Sequence, residues 1–590
     1  MGVSQFGSVA LKALALLAPS ALSSPVSSSA SSSASPIVRT SYGHIQGAAS
    51  EYRDGVSAFK GIPYAAPPVG DLRWRPPVKP APWGTDVLNA TSFSNQCIQT
   101  FSNINQSIWT DMYLPVSEDC LYLNVWTSNL NSSAKQPVYL WMHGGRFWDG
   151  SGEVVTFDGS GLAAEGIVVV TINDRLGPFG YLAHPELAAE SPHNVSGNYG
   201  VLDMIASVEW VRDQIQYFGG DPGKITVGGQ SSGSSCALDM LYSPLASGMI
   251  AGAIPESGAR SPRDPTTGSL ATSYRTMDAA LAHGKDYLSQ LKVSTIEEAR
   301  NVSVEVFLAN QGALLLEDDT IFEDTPWFNL TSSFMEPPLF RPVLDGYVLQ
   351  YTYGDNLKYN GHADVPVMTG NNLDESGSNL DPGLTVATYK QYFDQFFSNT
   401  NLTASFYELW PANNDTQAND NSNDFFQVMS RVSTWQWGQD YYAGLANDAS
   451  IQTTASLNST NAANVYTYFF TTAPPFDSGY VSPNTAGSYH GAEQLYVFNN
   501  IPYNHPTGNW TSTDYAVQSQ MVQYWVNFIK YGNPNGHVTE TSTGNLTYWP
   551  VSGDEGTTMW LGDSWGADVV ADEAKKQFVL EWFVATGYVY

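Results

Sequence analysis

Residues 229–233 read Gly-Gln-Ser-Ser-Gly, between an apolar run that ends in glycine, KITVGG (224–229), and the helix-spaced apolar residues of SSCALDM. A G-x-S-x-G turn between a strand and a helix is the setting in which a serine hydroxyl is pushed out of the backbone as a nucleophile. Such a serine performs acyl transfer: its oxygen attacks a carbonyl, an imidazole takes its proton, and a carboxylate holds that imidazole in the right tautomer. Ser231 is the candidate nucleophile, and its partners must come from distant parts of the chain.

In this arrangement the chain order is serine, acid, histidine. The downstream histidines are His283, His362, His490, His505 and His537. His490 lies in GSYHGAEQLYVF, a small-residue loop leading into an apolar run, where a side chain can be exposed. The acid should follow a core strand, and VPVMTGNNLDESGS offers Asp374 and Glu375, between which spacing does not choose. Upstream, WMHGGRFWDGSG (141–152) opens like a loop that holds a negatively charged oxygen, with Arg146 where a third glycine would stand.

These residues need strands that end together. Apolar runs at QPVYLWMH (136–143), GIVVVTIN (166–173), KITVGG (224–229), AGAIPESG (251–258) and DVPVMTG (364–370) predict strands. Between two of them, residues 198–220 carry apolar positions at helical spacing and stop at Gly219 and Gly220. Late helices are expected in AVQSQMVQYWVNFIKYG and ADEAKKQFVLEWF. Apolar strands alternating with helices imply a largely parallel sheet covered on both faces. With no repeat and no linker after residue 37, one domain over 38–590 is the economical reading, and the Asn/Asp-rich stretch 413–424 reads as a surface loop.

The chain has 590 residues, a net charge of −31 and 42% hydrophobic residues, a composition that builds a large core and a surface that repels nucleic acid. Residues 1–23 have the pattern of a secretory signal, interrupted by Lys12, and 24–37 form a Ser-rich spacer. No later run is long and apolar enough for a stable membrane anchor. Asn-x-Ser/Thr sequons at Asn89, Asn105, Asn131, Asn194, Asn301, Asn329, Asn401, Asn414, Asn458, Asn509 and Asn545 agree with passage through a glycosylating pathway. Three cysteines allow one disulfide and one leftover thiol. The nearest pair, Cys97 and Cys120, would close a short loop worth about 3 kcal/mol, and Cys236 reads as a buried, inert thiol.

The ordered stretches FKGIPYAAPPVGDLRWRPP (59–77), SEDCLYLNVW (117–126), HGGRF (143–147), NDRLGPFGYL (173–182), GNYGVLD (197–203), WVRDQIQYFGGDP (210–222), GQSSG (229–233), DESGS (374–378) and YHGAEQLYVF (489–498) resemble the type-B carboxylesterase/lipase family, the cholinesterase-like branch of the α/β-hydrolases. The resemblance implies an α/β-hydrolase fold, with a large, mostly parallel central sheet flanked by helices and insertions that form a gorge. It implies Ser231 as nucleophile, His490 as general base and acid, and Glu375 rather than Asp374 as the orienting acid. It further implies an oxyanion hole of the backbone N–H groups of Gly145, Arg146 and Ser232, and a Cys97–Cys120 disulfide whose loop, containing Trp109, borders the gorge. The activity so implied is hydrolysis of a small-molecule ester through an acyl-enzyme, without cofactor or metal. A lipase, a tailoring esterase or acyltransferase, and a non-catalytic binding protein on the same scaffold are the alternatives.

Two positions depart from the family pattern. Gln230 replaces the usual Glu beside the nucleophile, which lowers the expectation of a cationic substrate. Arg146 still supplies a main-chain N–H, at the cost of a strained backbone or a shifted loop. Its side chain either meets a substrate carboxylate or other electron-rich group, or turns to solvent or pairs with an acid such as Asp149.

Overall fold

The β-branched and aromatic runs become strands because they can be buried on both faces, where alternation with polar residues would leave charge in a core. A computed structural model describes residues 35–590 apart from 100–114, 268–273, 310–325, 327–336, 444–462, 476–486, 502, 504–507, 538–545 and 554–555. Its strands are β1 (Ile37–Arg39), β2 (His44–Gln46), β3 (Ala48–Ala49), β4 (Ser57–Pro63), β5 (Val87–Asn89), β6 (Tyr122–Thr127), β7 (Gln136–Met142), β8 (Val168–Ile172), β9 (Gly220–Gln230), β10 (Gly252–Glu256), β11 (Arg275–Thr276), β12 (Val343–Leu344), β13 (Val367–Asn372), β14 (Val465–Phe470), β15 (Thr557–Leu561) and β16 (Gly566–Val569).

An 11-stranded sheet runs in the order β16-β15-β14-β13-β10-β9-β7-β8-β6-β4-β3. From β8 to β15 every neighbouring pair is parallel, and the outer pairs are antiparallel. This is the mostly parallel, helix-flanked sheet of an α/β-hydrolase fold. Alternate side chains of one strand feed two separate cores. Val138, Leu140 and Met142 of β7 join the helices Tyr199–Gln214 and Ser232–Tyr242 on one face. Tyr139 and Trp141 join the helix Ser512–Tyr531 on the other. Register aligns Met142 with Gly229, Gln230 with Glu256, and Glu256 with Gly370, so the carboxyl ends of β7, β9, β10 and β13 finish at one level. Open parallel sheets bind ligands at that edge.

Residues Pro36–Tyr590 make one unit. The segment read as a signal, 1–23, and most of the spacer lie outside the described residues. The spacer is shorter than the sequence suggested, because Ile37 already opens β1. A larger correction concerns 413–424. The helix Asp415–Ala443 runs through that stretch. Asn414 Oδ1 accepts the Gln417 N–H at 2.9 Å, and Asn419 and Asn423 donate to the carbonyls of Leu384 (2.8 Å) and Asn379 (2.6 Å). Ala418, Phe425 and Phe426 bury their side chains in a third, aromatic-rich cluster with the helix Glu573–Thr586. Tertiary hydrogen bonds thus override the low helix propensity of Asn and Asp.

Among the described residues no helix is long and apolar enough to cross a membrane. The sequon residues Asn89, Asn131, Asn194, Asn301, Asn401, Asn414 and Asn509 are exposed, while Asn105, Asn329, Asn458 and Asn545 lie outside the described residues. Cys97 and Cys120 form a disulfide, and Cys236 is a buried free thiol whose ionisation burial pushes up.

Candidate active site

Ser231 stands between β9 and the helix Ser232–Tyr242 with φ 62° and ψ −124°, so the strain of the turn sits on the serine itself. The flanking glycines serve closeness rather than left-handed backbone. A Cβ on Gly229 would come within 2.4 Å of the Met142 carbonyl oxygen, and one on Gly233 within 2.2 Å of the same atom. The Ser231 N–H is tied back to the Glu256 carbonyl at 3.0 Å.

Two loops beyond β13 and β14 carry the candidate acids and the candidate histidine. His490 Nδ1 lies 2.5 Å from Glu375 Oε2. Glu375 Oε1 accepts the Asn372 N–H at 2.7 Å and the Ser257 hydroxyl at 3.1 Å, so both carboxylate oxygens have donors. Asp374 does different work. Its carboxylate accepts the Ser488 N–H at 2.7 Å and its own N–H donates to the Ser488 carbonyl at 3.0 Å, joining the two loops side by side. Of the other histidines, His283 meets Arg275, His362 stacks on Tyr441 and His537 packs by Tyr531, all away from this edge; His505 lies outside the described residues.

Among the described residues no hydrogen bond joins Ser231 Oγ to His490. Instead the Gln230 amide nitrogen lies 3.1 Å from Nε2 and 3.3 Å from Nδ1. Near-equal distances to both ring nitrogens put the amide over the face of the imidazole rather than in line with either lone pair.

The loop before β8 approaches from the other side. Gly145 has φ 117°, and a Cβ there would meet the Asp149 carbonyl oxygen at 2.1 Å. Arg146 has φ 56° and Phe147 φ 63°, so Arg146 accepts the strained backbone instead of shifting the loop. Its guanidinium stacks 4.3 Å over the Trp148 ring and its charge acts on Asp149, so the side chain folds onto its own loop. Burial pushes the Asp149 carboxyl up to about 7 even against that cation. Trp109 lies outside the described residues.

The sequence pattern of the Carboxylesterase family matches residues 34–570. The chain belongs to the carboxylesterase family. It is a carboxylic ester hydrolase, similar to curated esterases along nearly its whole length. It is 32% identical to a protein named Fumonisin B1 esterase from Sphingopyxis macrogoltabida over 89% of this chain and 87% of that one. It is 30% identical to Para-nitrobenzyl esterase from Bacillus subtilis (strain 168), covering 90% of this chain and 95% of that one. Among solved structures, PNB esterase superposes with a TM-score of 0.69 at 26% identity over 92% of this chain and 99% of that one.

In this carboxylesterase the electrostatics of the site follow from contact. Burial raises the Glu375 carboxyl, but the hydrogen bond and charge of His490 outweigh it and hold Glu375 below the usual carboxylate range. Burial lowers His490, but Glu375 more than reverses this and raises it above the ordinary histidine value. Among the described residues no cluster of His, Cys, Asp or Glu could hold a metal. Four residues that sequence reasoning passed over help build the site: Ser257, Asn372, Glu256 and Glu493. Glu493 offered one signal, a carboxylate three residues past His490 at the head of an apolar run.

Proposed function

We propose that this carboxylesterase is a secreted serine hydrolase of small or medium hydrophobic esters, with Ser231 as nucleophile, His490 as base then acid, and Glu375 as the orienting carboxylate. The observation that carries the reading is the 2.5 Å contact of Glu375 with His490 Nδ1, which leaves the Nε2 lone pair as proton acceptor in a ring packed against Gln230, the residue before the outward-held Ser231 (φ 62°). Ser231 Oγ attacks the ester carbonyl as Nε2 takes its proton. The imidazole turns from the Gln230 amide toward Ser231 for this step, and such contacts commonly tighten only around bound substrate. His490 returns the proton to the departing alcohol oxygen as the carbonyl–oxygen bond breaks. Water then attacks the acyl-enzyme by the same route, releasing the acid and free Ser231.

Gly145 and Ser232 support the oxyanion assignment, since among the described residues neither main-chain N–H makes a hydrogen bond, and Arg146 adds its own N–H to the set. Such donors act on charge present only in the tetrahedral intermediate. Secretion is supported by the disulfide, by the exposed sequon asparagines and by the leader pattern of 1–23. The relative named Para-nitrobenzyl esterase commends para-nitrobenzyl and p-nitrophenyl esters as assay substrates. The test is fluorophosphonate labelling of the secreted protein beside Ser231→Ala, with p-nitrophenyl ester hydrolysis in parallel. Labelling and activity that vanish in the variant are expected. Labelling that persists there overturns the assignment of Ser231.

A further inference from the structure

Behind the triad, on the sheet side, two carboxyl groups meet, and among the described residues no cation pairs with either. Glu256 ends β10 and Glu493 follows the His490 loop, and both are 0% exposed. The two side chains stand within hydrogen-bonding contact of each other. Each has one satisfied oxygen: Glu256 Oε1 accepts the Trp525 indole N–H at 2.9 Å, and Glu493 Oε2 accepts the Asn372 side-chain amide. Among the described residues the remaining oxygens, Glu256 Oε2 and Glu493 Oε1, have no donor. A single proton between the carboxyls satisfies both, whereas two ionised carboxylates in contact in a dry core would be strongly unfavourable.

Glu493 is also wired to the catalytic loops. Asn372, whose amide it receives, donates the same amide to the carbonyl of Tyr489, beside His490, and its main-chain N–H to Glu375. We propose that Glu256 and Glu493 share one proton and act as positioning residues, keeping one negative charge behind His490 and thereby setting the pH at which the imidazole becomes a competent base.

The surroundings agree with this. Burial first, and then the neighbouring charge of Glu375, pushes Glu493 up to about 7, and burial and Glu493 push Glu256 well above the usual carboxylate range. The charged and titratable groups that face the pair are Glu375 and His490 from the loops, Tyr139 of β7 and Tyr468 of β14. Arg260, just past β10, acts on Glu375 and His490. His490 senses the charge of Glu493, which favours its protonated form.

The inference rests on the triad reading above, and its test separates the two. Ser231-dependent fluorophosphonate labelling is measured first, and its failure overturns the triad alone. The pH profile of kcat/KM then compares Glu493→Gln with Glu256→Gln. In Glu493→Gln the amide donates to Glu256 and the charge leaves the neighbourhood of His490, so the acid limb moves down by about half a pH unit. In Glu256→Gln the amide donates to Glu493, which stays ionised, so the limb stays or moves up. Limbs that agree within about 0.2 unit in both variants and wild type, or that move together, overturn the proposal. Infrared difference spectra cover the case in which either variant is inactive. Wild type minus Glu256→Gln should show the carbonyl band of one un-ionised carboxyl that shifts in D2O, and its absence overturns the shared proton.

Discussion

The two sides of Ser231 are held in place by different means. On the acid–base side the loops after β13 and β14 are knitted by side chains: Ser257 and Asn372 hold Glu375, Asp374 clamps Ser488, and Asn372 reaches across to Tyr489. On the opposite side the 143–150 loop is held chiefly by close backbone packing, with the Gln99 side chain at its end. Gly145 donates nothing from a side chain but lies so close to Asp149 that a Cβ has no room, and its carbonyl accepts the N–H groups of Trp148 and Asp149 at 3.1 Å. Gln99 seals the end of this loop by bonding both the N–H and the carbonyl of Gly150 at 2.9 Å. The difference teaches that the first side is sensitive to which polar group is present, whereas the second is sensitive above all to where the main chain runs.

The largest effect should come from Ser231→Ala, between the two sides, with kcat down by about a million-fold and the melting temperature nearly unchanged. Next, Glu375→Gln should lower kcat by about 10⁴-fold, because an amide supports the wrong imidazole tautomer. Asp374→Asn, one residue away, should cost less than about tenfold in activity and about 1 kcal/mol in stability, measured by urea unfolding. Equal losses in the two variants would break the distinction drawn between these acids. On the backbone side, Gly145→Ala should lower kcat by about 10²-fold, with labelling by fluorophosphonate slowed in parallel.

The pH dependence tests the acid–base side without mutation. In the proposed mechanism His490 must be neutral to take the Ser231 proton, and Glu375 raises its pKa. Activity is therefore lost as pH falls through a value above the ordinary histidine value of about 6.5, and kcat/KM against pH should show its acid limb there. The smallest effect belongs to Arg146→Gly. Relief of a positive φ, worth about 1 kcal/mol, opposes loss of the Trp148 contact, worth about as much, and the donor is main chain. Activity on neutral esters should stay within about threefold, with little change in stability. A loss of about 100-fold would show that the side chain, and not the backbone alone, serves this loop.

Much of this architecture could be read before any coordinates. The strand runs at 136–143, 166–173, 224–229, 251–258 and 364–370 all became strands of the large sheet, since short, β-branched apolar runs can be buried on both faces of a parallel sheet. The turn at 229–233 fell where a strand meets a helix, and the cysteine pairing followed from the family resemblance. Local pattern failed at 413–424, where propensity argued for a loop and hydrogen bonds from other segments made a helix.

Sequence determined which residue types were available and in what order, because a run's periodicity and a turn's glycines act within a few neighbours. It left Asp374 and Glu375 open on spacing alone, since adjacent residues have the same reach along the chain. Tertiary structure decided that Glu375 meets His490 while Asp374 turns to Ser488. It also decided that Arg146 lies on Trp148, that Gln230 covers the imidazole face, and that Glu256 and Glu493 meet across more than 200 residues of chain. Contacts of that kind depend on strand order and register, which bring four strand ends to one level and are written nowhere in the spacing of the residues themselves.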